Sequence, residues 1–254
     1  MKNSITYLLV FLAIQFAGGS IIQALWKLAT GSVDVTPLLL ITSTAAISLL
    51  SIGIFLWAHW VELSPNWLRS RPWMTIFWTV ITGLGLIVPS MWLQEQMPEL
   101  PNIAEQQFDM ILANRWGYLT IGILAPLAEE VVFRGAILKS LLATRLSPLT
   151  AVLFSAVFFA LVHVNPAQMP HAFLAGLLLG WMYYRTGSIL PGMCLHWVNN
   201  SVAYAMYNLI PNPDVKLIEL FKGSQTNVYM ALGFSLLILM PALYQLHVWM
   251  RRAE

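Results

Sequence analysis

The sequence predicts an all-α membrane protein, a polytopic bundle of about eight transmembrane helices. Of its 254 residues, 58% are hydrophobic and only 9% are charged, whereas soluble domains carry about 25% charged residues. Several long stretches contain no Asp, Glu, Lys or Arg, and each exceeds the roughly 20 residues that a helix needs to cross the hydrocarbon core. These stretches are continuously apolar and do not alternate with polar residues, which argues against transmembrane strands.

The same composition excludes several classes of function. A soluble domain and a disordered chain would both be far more polar. Thirteen basic residues against eleven acidic ones give a net charge of only +2, and no basic block is present, so the chain is not a nucleic-acid binder. Cys194 is the single cysteine, and an internal disulfide is therefore impossible.

Uncharged windows locate most of the spans. Five of them can each hold one helix: 3–26, 35–61, 72–94, 186–213 and 223–250. A sixth window, 146–184, is too long for one crossing. Prolines at 166 and 170 interrupt it, which predicts two helices over about 148–163 and 171–185. The remaining span, about 117–140, is the one that carries charges.

The connecting segments predict the orientation of the bundle. With the N-terminus in the cytoplasm, the inner segments hold Lys2, Arg69, Arg71, Lys139, Arg145, Arg185, Arg251 and Arg252. The outer segments hold Lys27, Arg115, Lys216 and Lys222. This excess of inner basic residues predicts both termini inside. Residues 101–116 and 214–222 have apolar side chains near helical spacing, which predicts helices along the outer membrane surface.

One integral membrane domain over 1–254 describes this layout. The first window also has features of a signal peptide, with Lys2 before an apolar run and small residues at 17–20. Its length favours a retained span. The multi-pass pattern predicts the cell membrane as the location, and the short chain and loops suggest a bacterial inner membrane.

Three charged residues, Glu129, Glu130 and Arg134, lie within six positions near the middle of the span at about 117–140. On insertion scales, a central charged side chain costs about 2.5–3.5 kcal/mol. Glu130 and Arg134 are i,i+4 neighbours and can pair on one helix face. Glu129 is rotated by about 100° from Glu130 and has no partner on its own helix. One interpretation is an interhelical ion-pair cluster that holds the bundle together. However, this span has two acids and only one base. The second negative charge must therefore be balanced by a histidine, a polar group, a proton or a metal.

Two span histidines are available as partners. His163 follows Phe159 by four residues, and His196 precedes Asn200 by four, so each imidazole shares a helix face with its companion. A lone histidine on an apolar helix is usually structural. Two of them in a chain with an unpaired intramembrane carboxylate favour a functional site. His171 can line the same cavity, but we expect it to be structural.

The residue types suit hydrolysis of a peptide bond. A desolvated glutamate can act as general base toward water, and a neutral histidine can share that role or bind a metal. A second histidine and an asparagine amide can donate hydrogen bonds to an oxyanion. Cys194 and the span serines lack the context of a nucleophile, and no HExxH pattern is present.

The three motifs together, Glu129-Glu130-x-x-x-Arg134, Phe159-x-x-x-His163 and His196-x-x-x-Asn200, resemble the signature of the CAAX-protease and bacteriocin-processing (CPBP, Abi) family of intramembrane endopeptidases. The core that carries them is 117–205. The resemblance implies a helical intramembrane protease whose site lies in a polar cavity open to the cytosol. It implies that Glu129 and His163 activate water and that His196 and Asn200 stabilise the oxyanion. Glu130 and Arg134 would order the first motif.

The resemblance leaves the cofactor open. Zinc could be held by Glu129, His163 and His196 with water in the fourth position, and the same three residues serve a metal-free scheme equally well. The implied partners are the lipid bilayer and a peptide or protein substrate, lipidated or otherwise associated with the membrane. A proton-coupled transporter and a non-catalytic scaffold or immunity protein are the alternatives. The depths of the three motifs coincide better if residues 164–170 form a buried turn and not an outer loop.

Overall fold

The computed structural model describes residues 2–61, 72–210 and 215–250. Within these ranges the chain forms helices and no strand. The helices are α1 (Lys2–Thr30), α2 (Pro37–Trp57), α3 (Pro72–Glu95), α4 (Glu105–Leu112), α5 (118–142), α6 (Pro148–Leu161), α7 (Met169–Thr186), α8 (Leu190–Leu209), α9 (Leu217–Leu220) and α10 (Gln225–Trp249). The predicted all-α bundle is therefore confirmed.

Each predicted span corresponds to one helix. Four of the helices, α1, α2, α3 and α10, are long and apolar enough to cross a membrane by length and composition. Helix α6 has 14 residues and is about 21 Å long, shorter than the roughly 30 Å hydrocarbon core. The predicted surface segments contain the short helices α4 and α9. Arg69, Arg71, Arg251 and Arg252, which contribute to the predicted orientation, lie outside the described residues.

Local sequence signals set several helix ends. The side chains of Thr36, Ser147 and Ser224 each accept a backbone N–H bond from the first turn of the helix that follows, which satisfies amides that have no partner within the helix. Gly31 and Gly187 end α1 and α7 with φ of 73° and 67°, a left-handed conformation that glycine adopts without steric cost.

Helix α5 departs from regular α-helical geometry. Its segments Tyr118–Leu124 and Val131–Leu138 are π-helical, and the α-helical segment Ala125–Glu130 lies between them. Pro126 contributes to the wide first segment because it has no N–H to donate back along the helix. π-Helical turns occur frequently at functional sites, and the second one here begins directly after the two glutamates.

Helix α5 lies at the centre of the bundle. Every residue of Val131–Leu138 is buried. The ring of Phe133 makes edge-to-face contacts with Phe11 of α1, at 5.5 Å, and with Phe159 of α6, at 5.1 Å. Ser4 of α1 is hydrogen-bonded to Ser140 of α5 at 3.0 Å. This packing surrounds the charged part of α5 with protein and keeps it away from lipid, as the cost of intramembrane charge requires.

The connection between α6 and α7 is a tight non-helical turn. Asn165 is fully buried in it. The Asn165 side chain accepts a bond from the Ile103 amide at 3.2 Å and donates to the Asn102 side chain at 2.8 Å. Val164 beside it is exposed, with φ of 50°. A non-helical turn is thus present between the two helices, and segment 101–103 satisfies its buried asparagine, while the Val164 side of the turn is accessible.

Candidate active site

The predicted pair of Glu130 and Arg134 forms within α5. Arg134 Nη1 donates to Glu130 Oε1 at 2.7 Å, and both side chains are fully buried. The guanidinium also donates from Nη2 to the Gly176 carbonyl of α7 at 3.4 Å, and it lies 4.4 Å from the centre of the Phe159 ring. A hydrogen bond, an ion pair and a cation–π contact therefore surround a charge that would otherwise be very costly to bury.

His196 of α8 contacts both glutamates. Its Nδ1 lies 3.3 Å from Glu130 Oε1, and its Nε2 lies 3.6 Å from Glu129 Oε2. The sequence predicts a histidine among the possible partners of the unpaired carboxylate, and the structure brings His196 to Glu129. The same imidazole also contacts Glu130, so the two glutamates share one partner although they project 100° apart on an ideal helix.

Phe159 of α6 links the second motif to the first and third. Its ring makes edge-to-face contacts with His163 at 5.0 Å and with His196 at 5.8 Å between ring centres. His163 Nδ1 lies 2.7 Å from the Phe159 carbonyl oxygen. Since a carbonyl only accepts, Nδ1 donates and the other ring nitrogen of a neutral His163 carries a lone pair. Phe159 is thus the common contact of both imidazoles and of Arg134.

The Asn200 amide fills a gap in the hydrogen bonding of α5. Asn200 Nδ2 donates to the Ile121 carbonyl at 2.9 Å. Within the helix, the backbone N–H groups of residues 125 and 126 are the ones placed to reach the Ile121 carbonyl. The Ala125 N–H donates to the Thr120 carbonyl instead, and residue 126 is a proline without an N–H. Pro126 is the sequence signal that could have predicted an acceptor on α5 for a side chain of another helix.

Two polar residues beside Asn200 extend this network. Asn199 Nδ2 lies 3.1 Å from Asn200 Oδ1, and Asn199 Oδ1 lies 3.2 Å from His171 Nε2 on α7. No sequence pattern singles out Asn199, because its position relative to α7 depends on how the two helices pack.

Gly192 permits the close approach of α8 to Glu130. A Cβ atom at this position would lie 2.6 Å from Glu130 Oε2. That oxygen is buried without a hydrogen-bond partner among the described residues. A glycine inside an apolar helix can mark such a contact, but the sequence alone does not identify the atom that approaches it.

The residues proposed as metal ligands, Glu129, His163 and His196, do not lie in the arrangement that a cation needs. Structural and catalytic zinc sites use at least three protein ligands. In the part of the chain that the structure describes, no group of three His, Cys, Asp or Glu side chains is arranged to hold a metal ion. Glu129 and His196 lie close together, but His163 does not complete a ligand set with them.

The comparisons with known proteins agree with the motifs. The family model described as type II CAAX prenyl endopeptidase Rce1-like matches residues 112–202, a region that contains all three motifs. The UPF0177 protein YxdF of Lactococcus lactis subsp. lactis (strain IL1403) is 27% identical over 103 residues, which cover 40% of this chain and 51% of that protein. The match thus spans about half the length of this relative. No solved structure matches. The family resemblance indicated by the three motifs is confirmed.

Proposed function

Because residues 112–202 match the Rce1-like family of type II CAAX prenyl endopeptidases, we propose that this membrane protein is an intramembrane endopeptidase. It hydrolyses a peptide bond in a membrane-associated peptide or protein, and Glu129, Glu130, Arg134, His163, His196 and Asn200 form its active site. The membrane-spanning helices and the family match support a peptidase in a lipid environment, and the chemistry at each residue is our proposal.

One observation carries the proposal: His196 lies between Glu129 and Glu130, at 3.6 and 3.3 Å. Arg134 alone would neutralise one of the two glutamates. Burying a second acid and an imidazole raises the free energy of the folded protein. Packing does not require them, because apolar residues would fill the same space at a lower free-energy cost. Clusters of buried acidic and basic side chains that can exchange protons are typical of active sites.

Glu129 and His163 are suited to activate water. The Glu129 side chain is 23% exposed, whereas Glu130 is fully buried, so Glu129 is the carboxylate that water can reach. In the proposed step Glu129 takes a proton from water while the water oxygen bonds to the carbonyl carbon of the substrate. His163 presents its lone-pair nitrogen and can share this proton. When the intermediate collapses, the proton passes to the leaving nitrogen and the C–N bond breaks.

His196 and Asn200 are suited to stabilise the oxyanion. The distance from His196 Nε2 to Glu129 is longer than a hydrogen bond, so Nε2 is available to a substrate. Because Nδ1 donates to Glu130, Nε2 carries a hydrogen in the imidazolium form, and in that form it can donate to the substrate oxygen. Asn200 Nδ2 uses one hydrogen on Ile121 and has a second one to donate. Donors that are fixed before the reaction lower the barrier most effectively.

Glu130 and Arg134 have a positioning role in this scheme. Glu130 holds His196 by its Nδ1, and Arg134 neutralises Glu130 from within the same helix. The orientation of the imidazole is therefore fixed by a pair that substrate does not contact.

The test is a cleavage assay on purified protein in liposomes. The probes are a farnesylated peptide that ends in a CAAX sequence and the same peptide without the lipid. We expect Glu129→Gln, His163→Ala and His196→Ala each to lower kcat by about 10²-fold or more, in line with the loss of a general base or an oxyanion donor. The exposed Glu105 and His247 offer matched controls, Glu105→Gln and His247→Ala, which should cleave at the wild-type rate.

The outcomes separate the competing functions. Cleavage that persists in all three site variants would contradict the proposal. Absence of cleavage together with proton flux that depends on Glu129 would favour a carrier. A folded protein with neither activity, whose partner binding survives all three substitutions, would favour a scaffold.

A further inference from the structure

We propose that His171 and Asn199 are positioning residues that orient the Asn200 amide toward the oxyanion through a one-directional chain of hydrogen bonds. This inference rests on the proposed function, and it adds to the active site a third histidine and a second asparagine. The chain runs from α7 through α8 to the backbone of α5.

The direction of the chain is fixed at its α5 end. The final acceptor is the Ile121 carbonyl, and a carbonyl oxygen cannot donate. Asn200 must therefore turn its Nδ2 toward α5. An asparagine amide has its nitrogen and oxygen on opposite branches, so Asn200 Oδ1 must then face Asn199.

The same reasoning fixes the two remaining groups. Asn199 must present Nδ2 to Asn200 Oδ1, at 3.1 Å, and consequently turns its own Oδ1 toward α7. There it can only accept, so His171 Nε2 must donate across 3.2 Å. Neither asparagine can flip without losing a bond, and His171 is held with a proton on Nε2.

This chain matters for catalysis because it prepares the Asn200 amide before substrate arrives. Each donated bond polarises the next amide, and hydrogen bonds in series strengthen one another. The second Nδ2 hydrogen of Asn200 becomes a better donor with a fixed direction, which is the condition for effective oxyanion stabilisation. His171 and Asn199 are linked by hydrogen bonds to Asn200 of the third motif, so the chain ends within the proposed site.

The experiment compares substitutions that keep or remove each donor. Asn199→Asp preserves size and can still accept from His171, but it cannot donate to Asn200. His171→Gln retains a donor nitrogen, whereas His171→Leu removes it. Asn208 lies eight residues beyond Asn200 on α8 and donates to the Leu112 and Tyr204 carbonyls, so Asn208→Asp is the matched control. The readouts are kcat and KM for the farnesylated peptide, and the thermal unfolding temperature.

Loss of one oxyanion donor costs about 10²–10³ in kcat, and a misdirected donor should cost less. We expect Asn199→Asp and His171→Leu to lower kcat by about tenfold or more with KM changed by less than about twofold, and His171→Gln to recover most of the rate. Asn208→Asp should keep the wild-type kcat, because Asn208 takes no part in this chain of hydrogen bonds. If Asn199→Asp fails to fold, the two His171 variants decide the question.

Two results would overturn the chain. One is wild-type kcat in both Asn199→Asp and His171→Leu. The other is a His171→Gln variant with a kcat as low as that of His171→Leu. In that case restoring a donor nitrogen does not restore the rate, and His171 acts through packing and not through its hydrogen bond. A failure confined to these variants, with Glu129→Gln still inactive, leaves the proposed protease intact. Full cleavage by Glu129→Gln would instead refute the protease itself.

Discussion

Nδ1 of His196 lies 3.3 Å from Oε1 of Glu130, and this contact joins the third motif to the first. Glu130 Oε1 also accepts from Arg134, so one buried oxygen receives a guanidinium and an imidazole from two helices. This shared acceptor links α5 to α8.

Arg134 should be essential for stability as well as for activity. Arg134→Met leaves the Glu130 carboxylate buried without its cation, and breaking a buried pair in this way costs about 3–5 kcal/mol. We expect a corresponding fall in the free energy of unfolding, measured by denaturant titration in detergent micelles. Arg145 is an exposed arginine of a loop, and Arg145→Met should change that energy by less than about 1 kcal/mol. Equal effects of the two substitutions would refute the assigned role of the Glu130–Arg134 pair.

Gly192 should not tolerate a methyl group. In Gly192→Ala the new Cβ would lie 2.6 Å from Glu130 Oε2, so either α8 or the carboxylate must move, and the contact with His196 is disturbed. We expect reduced cleavage and a lower unfolding temperature. Gly233 of α10 has no neighbouring atom within 4 Å of such a Cβ, and Gly233→Ala should be neutral or stabilising by about 0.5–1 kcal/mol. Wild-type activity of Gly192→Ala would contradict the close approach.

Phe159 should contribute through its ring and not only through its volume. Phe159→Leu removes the contact with Arg134 and the edge contacts with both imidazoles. Cation–π and aromatic contacts of this kind contribute about 0.5–2 kcal/mol each, so we expect a loss of about 2–4 kcal/mol in unfolding free energy and a lower kcat. The neighbouring Phe158 is only half-buried, and Phe158→Leu should have a smaller effect on both quantities. If the two variants behave alike, the central position of Phe159 has no energetic significance.

Removal of divalent metal ions should not change the rate of cleavage. The described residues do not bring three His, Cys, Asp or Glu side chains into a ligand set, and a catalytic zinc site requires three. We expect protein treated with chelator and then dialysed to keep its kcat, and elemental analysis to find less than one zinc per chain. Activity that is lost on chelation and returns with added zinc would refute this prediction and would support Glu129, His163 and His196 as the ligands.

Much of the site could be predicted because several of its residue pairs lie on the same helix. Glu130 and Arg134 are four residues apart, and helical periodicity alone brings them together at 2.7 Å. The same spacing places Phe159 beside His163. The cost of charge in an apolar span likewise marked Glu129 as a residue that needs a partner. Each of these inferences uses only local geometry and transfer free energy.

Other features could not be read from any one segment. The sharing of His196 between two glutamates, the use of Asn200 on the Ile121 carbonyl and the approach of Gly192 to Glu130 all join different helices. The π-helical geometry of α5 was not predicted either, although Pro126 is a local cause of part of it. His171 was expected to be structural, and its bond to Asn199 is what suggests a further role.

The sequence by itself determined that this chain is a helical membrane protein, where its helices lie, and which polar side chains they carry into the bundle. The reason is that hydrophobic length and helical periodicity are properties of a single segment. The tertiary structure alone decided which of these side chains meet, and through which atoms. That depends on the rotation, tilt and depth of each helix, which are set by the packing of all the helices together.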